Sequence, residues 1–191
     1  MNEIAYGVVP VETLLQYDGI TFLRGLISGQ FTAPPITQTL GFALSEVEPG
    51  REVFSGEPQA RHYNPIGTVH GGFAMTLLDS ALACAIHSTL AKGETYTTLE
   101  IKVNLVRPLT QETGLVRAEG RILHRGRTLA TSEGDIKDAD GEPVQTGCVR
   151  SEVDWLAPDL EFCLAMAGLA PSAGEKQWMA PCRFEPACSP H

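Results

Sequence analysis

The period of apolar and polar positions changes several times along the chain, and each change marks an element. Ile20, Phe22, Leu23, Leu26 and Ile27 recur at helical spacing, and Pro34-Pro35 stops the pattern. Leu40 to Val47 and Arg51 to Gly56 are predicted strands, with a Pro49-Gly50 turn signal between them. An irregular loop through Tyr63, Asn64, Pro65 and Gly67 precedes a predicted helix from Gly71 to about Leu90. After Gly93 the period becomes two. Leu99, Ile101, Val103 and Leu105 point one way and Thr98, Glu100, Lys102 and Asn104 the other, a half-buried strand that Pro108 ends. Two more strands, about Gly114 to His124 and Thr128 to Lys137, meet at Arg125-Gly126, and the Asp138-Ala139-Asp140-Gly141 turn leads to a last one, about Val144 to Val153. The order β-β-α-β-β-β-β predicts an α+β fold with one long helix and an antiparallel sheet. This unit occupies residues 36–155. Residues 1–35 form a partly helical N-terminal extension, and 156–191 a tail rich in Ala, Pro and Cys with a short helix from Asp159 to Leu169.

The long helix carries the most information. On a wheel of about 100° per residue, Gly72, Thr76, Asp79, Ser80, Ala83 and His87 fall on one narrow stripe. The remainder, from Phe73 to Ile86, is so apolar that sheet or a partner must nearly engulf the helix. Asp79 is its only charge, and a carboxylate buried without partners is costly. Either neighbouring hydroxyls or an interface Arg satisfy it, or it does chemistry. Directly upstream runs Asn64-Pro65-Ile66-Gly67-Thr68-Val69-His70-Gly71-Gly72. Gly71 and Gly72 fall in the first helical turn, where N–H groups lack intrahelical partners and the helix dipole is positive. Without Cβ atoms they let another molecule approach the backbone, an arrangement that suits a developing oxyanion; alone, Gly-Gly reads as a tight turn. His70 reads first as a helix-start histidine that fixes the loop by hydrogen bonds.

Composition narrows the field. At 43% hydrophobic and 19% charged, 191 residues are ordinary globular material, which excludes a disordered chain. Fourteen basic against 23 acidic residues give a net charge of −9, a field that repels phosphate polymers and anionic membranes, so neither nucleic acid nor membrane is an expected partner. The start has no basic n-region followed by an apolar core, and no stretch reaches the ~20 apolar residues needed to cross a bilayer. Five cysteines at irregular spacing read as reduced thiols, so the expected location is the cytoplasm. Cys182, Cys188 and His191 are thin evidence for a metal tail, and no metal is expected.

Asn-Pro-x-Gly-x-Val-His-Gly-Gly followed by six residues and Asp resembles the PaaI-type acyl-CoA thioesterases of the hotdog superfamily. Leu40-Gly41-Phe42, Asn104-Leu105-Val106-Arg107-Pro108 and Asp138-Ala139-Asp140-Gly141 also look like that family. The resemblance implies a hotdog fold, an antiparallel sheet wrapped around one central helix, pairing as a homodimer and often as a dimer of dimers, with active sites at the dimer interface. It implies that the Gly71 amide polarises the thioester carbonyl, that Asn64 positions the reacting groups, that Asp79 from the partner chain acts as base or nucleophile, and that Thr98 holds the water or the carboxylate. His70 and Gly72 would then lie on the substrate side. The implied substrate is an aryl or short- to medium-chain acyl-CoA, with no cofactor beyond the coenzyme A it carries.

Coenzyme A is a polyanion, and Arg107, Arg117, Arg121, Arg125 and Arg127 fall within 21 residues against only Glu112 and Glu119. Arg suits phosphate through its planar fork, so Arg125 and Arg127 are candidates for the nucleotide end; solvated hairpin charges are the plainer alternative. Two other functions compete. An enoyl-CoA hydratase of the same fold needs a His five residues after the Asp, where this chain has Cys84, with His87 eight residues on. An acyl-CoA-binding regulatory protein without turnover would have no need of Asp79.

Overall fold

The computed structural model describes residues 4–155. Four helices, α1 (Val11–Leu14), α2 (Gly19–Ser28), α3 (Pro35–Leu40) and α4 (Gly71–His87), accompany six strands: β1 (Phe42–Glu48), β2 (Arg51–Gly56), β3 (Glu94–Leu105), β4 (Val116–Arg125), β5 (Leu129–Lys137) and β6 (Pro143–Trp155). The element order is the expected one. Helix α2 starts because the Asp18 carboxylate accepts the Thr21 N–H at 2.9 Å, and it stops at Gly29, where φ of 75° is a left-handed C-cap. The prolines expected to end it lie beyond that stop and instead open α3, where Pro35 takes the first helical position and its missing N–H is no loss. The tail from 156, with its predicted helix and its cysteines, lies outside the described residues.

The sheet is six-stranded and antiparallel throughout, in the order β1-β2-β4-β5-β6-β3. Helix α4 packs on β2, β3, β4, β5 and β6, so one helix supplies the core for most of the sheet. Leu77, Leu78, Ala81 and Leu82 are fully buried there against Phe54, Val116, Ala118 and Ile136. This is the antiparallel sheet around a central helix that the family resemblance implies.

The helix can lie this close because of glycine. Gly120, Gly134 and Gly147 are directly opposite one another on β4, β5 and β6. A Cβ on Gly120 would stand 2.3 Å from the Ala81 carbonyl oxygen, so the α4 backbone rests on bare sheet. Ser132 completes the contact by donating to the Leu82 carbonyl at 2.9 Å. On the opposite face, Arg51 bridges Glu46 and Glu119 at 3.0 and 2.7 Å above the fully buried Val53.

One expectation about β3 fails. Ile101 and Val103 do pack on the core, but Leu99 and Leu105 are 52% and 59% exposed. The pairing of β3 with β6 slips between Thr98 and Glu100, which makes Leu99 an extra residue in a β-bulge. A bulge inverts the in–out phase, so strict alternation cannot run through it.

Candidate active site

The segment before α4 is held by its own hydrogen bonds. The Asn64 side-chain oxygen accepts the N–H groups of Ile66 and Thr68 at 3.0 and 3.3 Å, and its amide donates to the Thr68 hydroxyl at 3.0 Å. Asn64 therefore builds the turn, with its oxygen and one of its two amide hydrogens committed to the loop. Gly67, at φ 83°, takes the left-handed conformation that this turn needs. The Val69 N–H reaches the Leu109 carbonyl and the His70 N–H the His62 carbonyl, at 2.9 and 2.7 Å, which fixes where α4 begins.

His70 is the N-cap of α4. Its Nδ1 accepts the Gly72 N–H at 2.9 Å, so the hydrogen-bonding role read from the sequence is the geometry found. That bond engages the Gly72 amide. The Gly71 amide has no acceptor among the described residues, and Gly71 stands beside Leu105, whose side chain would be 3.2 Å from a Cβ there. Of the two glycines, Gly71 is thus the one whose amide is uncommitted among the described residues.

Asp79 lies half-buried one helix face away from the core. Its Oδ1 is buried without a hydrogen-bond partner, and burial raises its pKa above the ordinary carboxylate value, while a hydrogen bond from the Thr98 side chain pulls it down. Thr98 reaches this face because of the Leu99 bulge. Tyr96 and Thr98 face the helix before it, and Ile101 and Val103 after it. Strict alternation had set Thr98 against Ile101. Gly71 and Asp79 are eight residues apart on one helix, about 12 Å along its axis at ~1.5 Å per residue, too far to act on the same atom. A site that uses both needs a second copy of the chain.

The arginine expectation changes. Arg125 turns inward and bonds the buried Glu94 at 2.9 Å, so it anchors the β4–β5 hairpin and is not offered to a nucleotide. Arg107, Arg117 and Arg121 pair with Asp138, Glu46 and Glu119, which neutralises most of the basic balance read from that segment. Arg127, at the hairpin tip, is also engaged. Nor does His87 stand with Asp79 as a hydratase would require. It is buried between Phe22 and Tyr96, ring centroids 5.5 Å from each, and burial pushes its pKa down to about 4.

Glu52 escaped notice in the sequence. On β2 it pairs with Gly120 and lies wholly buried beneath α4, neither carboxylate oxygen has a partner, and desolvation pushes its pKa up to about 9. A Glu in a short strand carries no warning of this. The glycine opposite, isolated inside a strand, was the available sign of close packing. Among the described residues no group of three or more His, Cys, Asp or Glu could hold a metal ion, and no helix is long and apolar enough to cross a membrane.

The description "Thioesterase superfamily" fits residues 66–145, from the turn before α4 into β6. The 1,4-dihydroxy-2-naphthoyl-CoA hydrolase of Listeria monocytogenes is 27% identical over 103 residues, covering 54% of this chain and 82% of that protein. Human acyl-coenzyme A thioesterase 13 is 27% identical over 127 residues, covering 65% and 89%. Among solved structures, a phenylacetic acid degradation-related protein of Ralstonia eutropha superposes with a TM-score of 0.63 at 26% identity, covering 69% of this chain and 98% of that one. The E. coli PaaI protein shares the fold at a TM-score of 0.61 and 18% identity, covering 72% and 94%. Residues 66–145 thus match the thioesterase superfamily, and the fold is the one these thioesterases share.

Proposed function

We propose that the protein is an acyl-CoA thioesterase, a hydrolase that cleaves the thioester of an aryl or short- to medium-chain acyl-CoA to free acid and coenzyme A. Its relatives, named for hydrolysis of CoA thioesters, support the reaction class. The observation that carries the site is Asp79: the single charge of α4, half-buried, with one buried oxygen that has no hydrogen-bond partner and the Thr98 hydroxyl on the carboxylate. The Gly71 amide of a second copy, at a helix N-terminus, donates to the thioester oxygen and stabilises the negative charge that forms there. Asp79 takes the proton of an attacking water, or attacks the carbonyl carbon itself to form a mixed anhydride that water then hydrolyses to the free acid; in either case the thiolate of coenzyme A leaves and is protonated. Strand β3, at the sheet edge with Leu99 and Leu105 exposed, is the surface on which two copies meet.

The test is thiol release across aryl and short- to long-chain acyl-CoAs by the wild type and Asp79→Asn. Loss of a general base or nucleophile lowers kcat by about 10²–10⁴-fold; an unaltered rate refutes the assignment. The pH profile sharpens it. The ionised carboxylate is the working form, so kcat/KM falls with acid through the Asp79 pKa, above the ordinary carboxylate range. Thr98 pulls that pKa down, so Thr98→Ala moves the acid limb to higher pH.

A further inference from the structure

Beyond Asp79, the same stripe of α4 continues through Ala83 to His87, one helical turn per step. Ala83, though buried, projects only a methyl group on this stripe. Cys84, Tyr96 and Thr98 are each partly exposed, like Asp79, so partly accessible side chains line both sides of the crease between α4 and β3. At His87 it shuts. Phe22 of α2 lies against the imidazole on one side and Tyr96 of β3 on the other, and Tyr96 in turn packs on Ile86, Leu90 and Ala130.

The closure is built to stay. The Gly19 N–H donates to the Leu90 carbonyl at 2.9 Å, and a Cβ on Gly19 would fall 1.7 Å from the His87 carbonyl oxygen, so only glycine lets α2 come this near. Phe22 is braced from behind by Phe31, stacked at 5.0 Å, and Phe31 by Tyr17 at 5.1 Å. The rings thus run from the N-terminal extension to the edge strand, and His87 is the link between its two halves.

We propose that Phe22 and Tyr96, clasped on His87, form the end wall of the acyl pocket that starts at Asp79, and that the N-terminal extension thereby limits the enzyme to short- and medium-chain acyl groups. The inference rests on the thioesterase reading, in which Asp79 marks the thioester. Eight residues at ~1.5 Å separate Asp79 from His87 along the axis, so the acyl part has about 12 Å at most. A hydrophobic pocket gains or loses about tenfold or more for each methylene it accepts or refuses, so moving the wall is visible in kinetics.

The experiment measures kcat/KM for straight-chain acyl-CoAs from acetyl to palmitoyl with the full-length wild type, Phe22→Ala and the milder Phe22→Leu, each checked for cooperative thermal unfolding. The wild type falls off steeply beyond medium-length chains. Phe22→Ala moves the optimum to longer chains and raises the long-to-short ratio of kcat/KM at least tenfold, and Phe22→Leu does so by less. If Phe22→Ala does not fold, Phe22→Leu alone still reads the ratio. A ratio unchanged in the folded variants, or a wild type that takes palmitoyl as well as acetyl, overturns the wall while leaving thioesterase activity standing. No thiol release by the wild type from any acyl-CoA overturns the thioesterase reading and the wall together.

Discussion

The two ends of α4 hold similar residues in opposite surroundings. At the N-terminal end His70 is exposed, Gly71 and Gly72 are only partly covered, and backbone amides face outward. At the C-terminal end Ala81, Leu82, Ala85 and Ile86 are fully buried, His87 is shut between rings, and Glu52 lies beneath with no partner. The two histidines bracket α4, His70 as its N-cap and His87 as its last residue. Depth separates them: one accepts a hydrogen bond at the surface, while burial holds the other neutral down to about pH 4. Presented amides suit the first end to chemistry. The second end is where the fold is most tightly made and where ionisable groups work against it.

The tight end breaks hardest. In Gly120→Ala the new methyl meets the Ala81 backbone at 2.3 Å, and backbone cannot rotate aside as a side-chain tip would. The loss is about 3 kcal/mol or more, the upper part of the overpacking range, read as a lower urea midpoint. Gly67→Ala, at the open end, meets no atom within 4 Å and carries only the strain of its positive φ, so it is the milder change.

Next in size is a pH effect at the same end. Glu52 stays protonated in the fold up to about pH 9, whereas in the unfolded chain it ionises near 4.5, so its contribution is intact below 4.5 and is lost as pH rises towards 9. His87 works in the reverse sense. Unfolded it gains a proton near 6.5 and folded only near 4, so stability is lost as pH falls across that window. Between about 4.5 and 6.5 the two slopes cancel, and above 6.5 the wild type weakens. Glu52→Gln removes the first slope. It is more stable than the wild type by up to about 3 kcal/mol at pH 7, at ~1.4 kcal/mol for each pH unit above 4.5. Urea unfolding at pH 5 and pH 8 checks this: the wild type declines between them, and the variant does not.

The open end was the more legible in the sequence. Asn64, His70, Gly71 and Gly72 sit next to one another in the chain, so the turn and cap that they form follow from local chemistry. Asp79 stood out because a charge within an apolar helix is conspicuous. The order of elements along the chain followed from turns and from the change of period at Gly93. What escaped is long-range. Arg125 reads as a free hairpin charge until Glu94, 31 residues earlier, is found on it. Phe22 and His87 are 65 positions apart, and no local pattern joins them. The Leu99 bulge adds one residue to a regular alternation, so apolar period alone assigned Leu99 to the buried face and Thr98 away from Asp79.

The smallest effect separates the two histidines most directly. His70→Ala removes the acceptor that satisfies the Gly72 N–H, which costs about 1 kcal/mol, the usual value for a lost N-cap. His70→Asn returns a short acceptor at the same position and recovers most of that loss. Turnover separates capping from catalysis. If His70 only caps, both variants keep kcat within a few-fold of the wild type when assayed well below their melting temperatures. A His70 that moved a proton would be missed by about 10²-fold or more in both variants, and asparagine would rescue the stability without the rate.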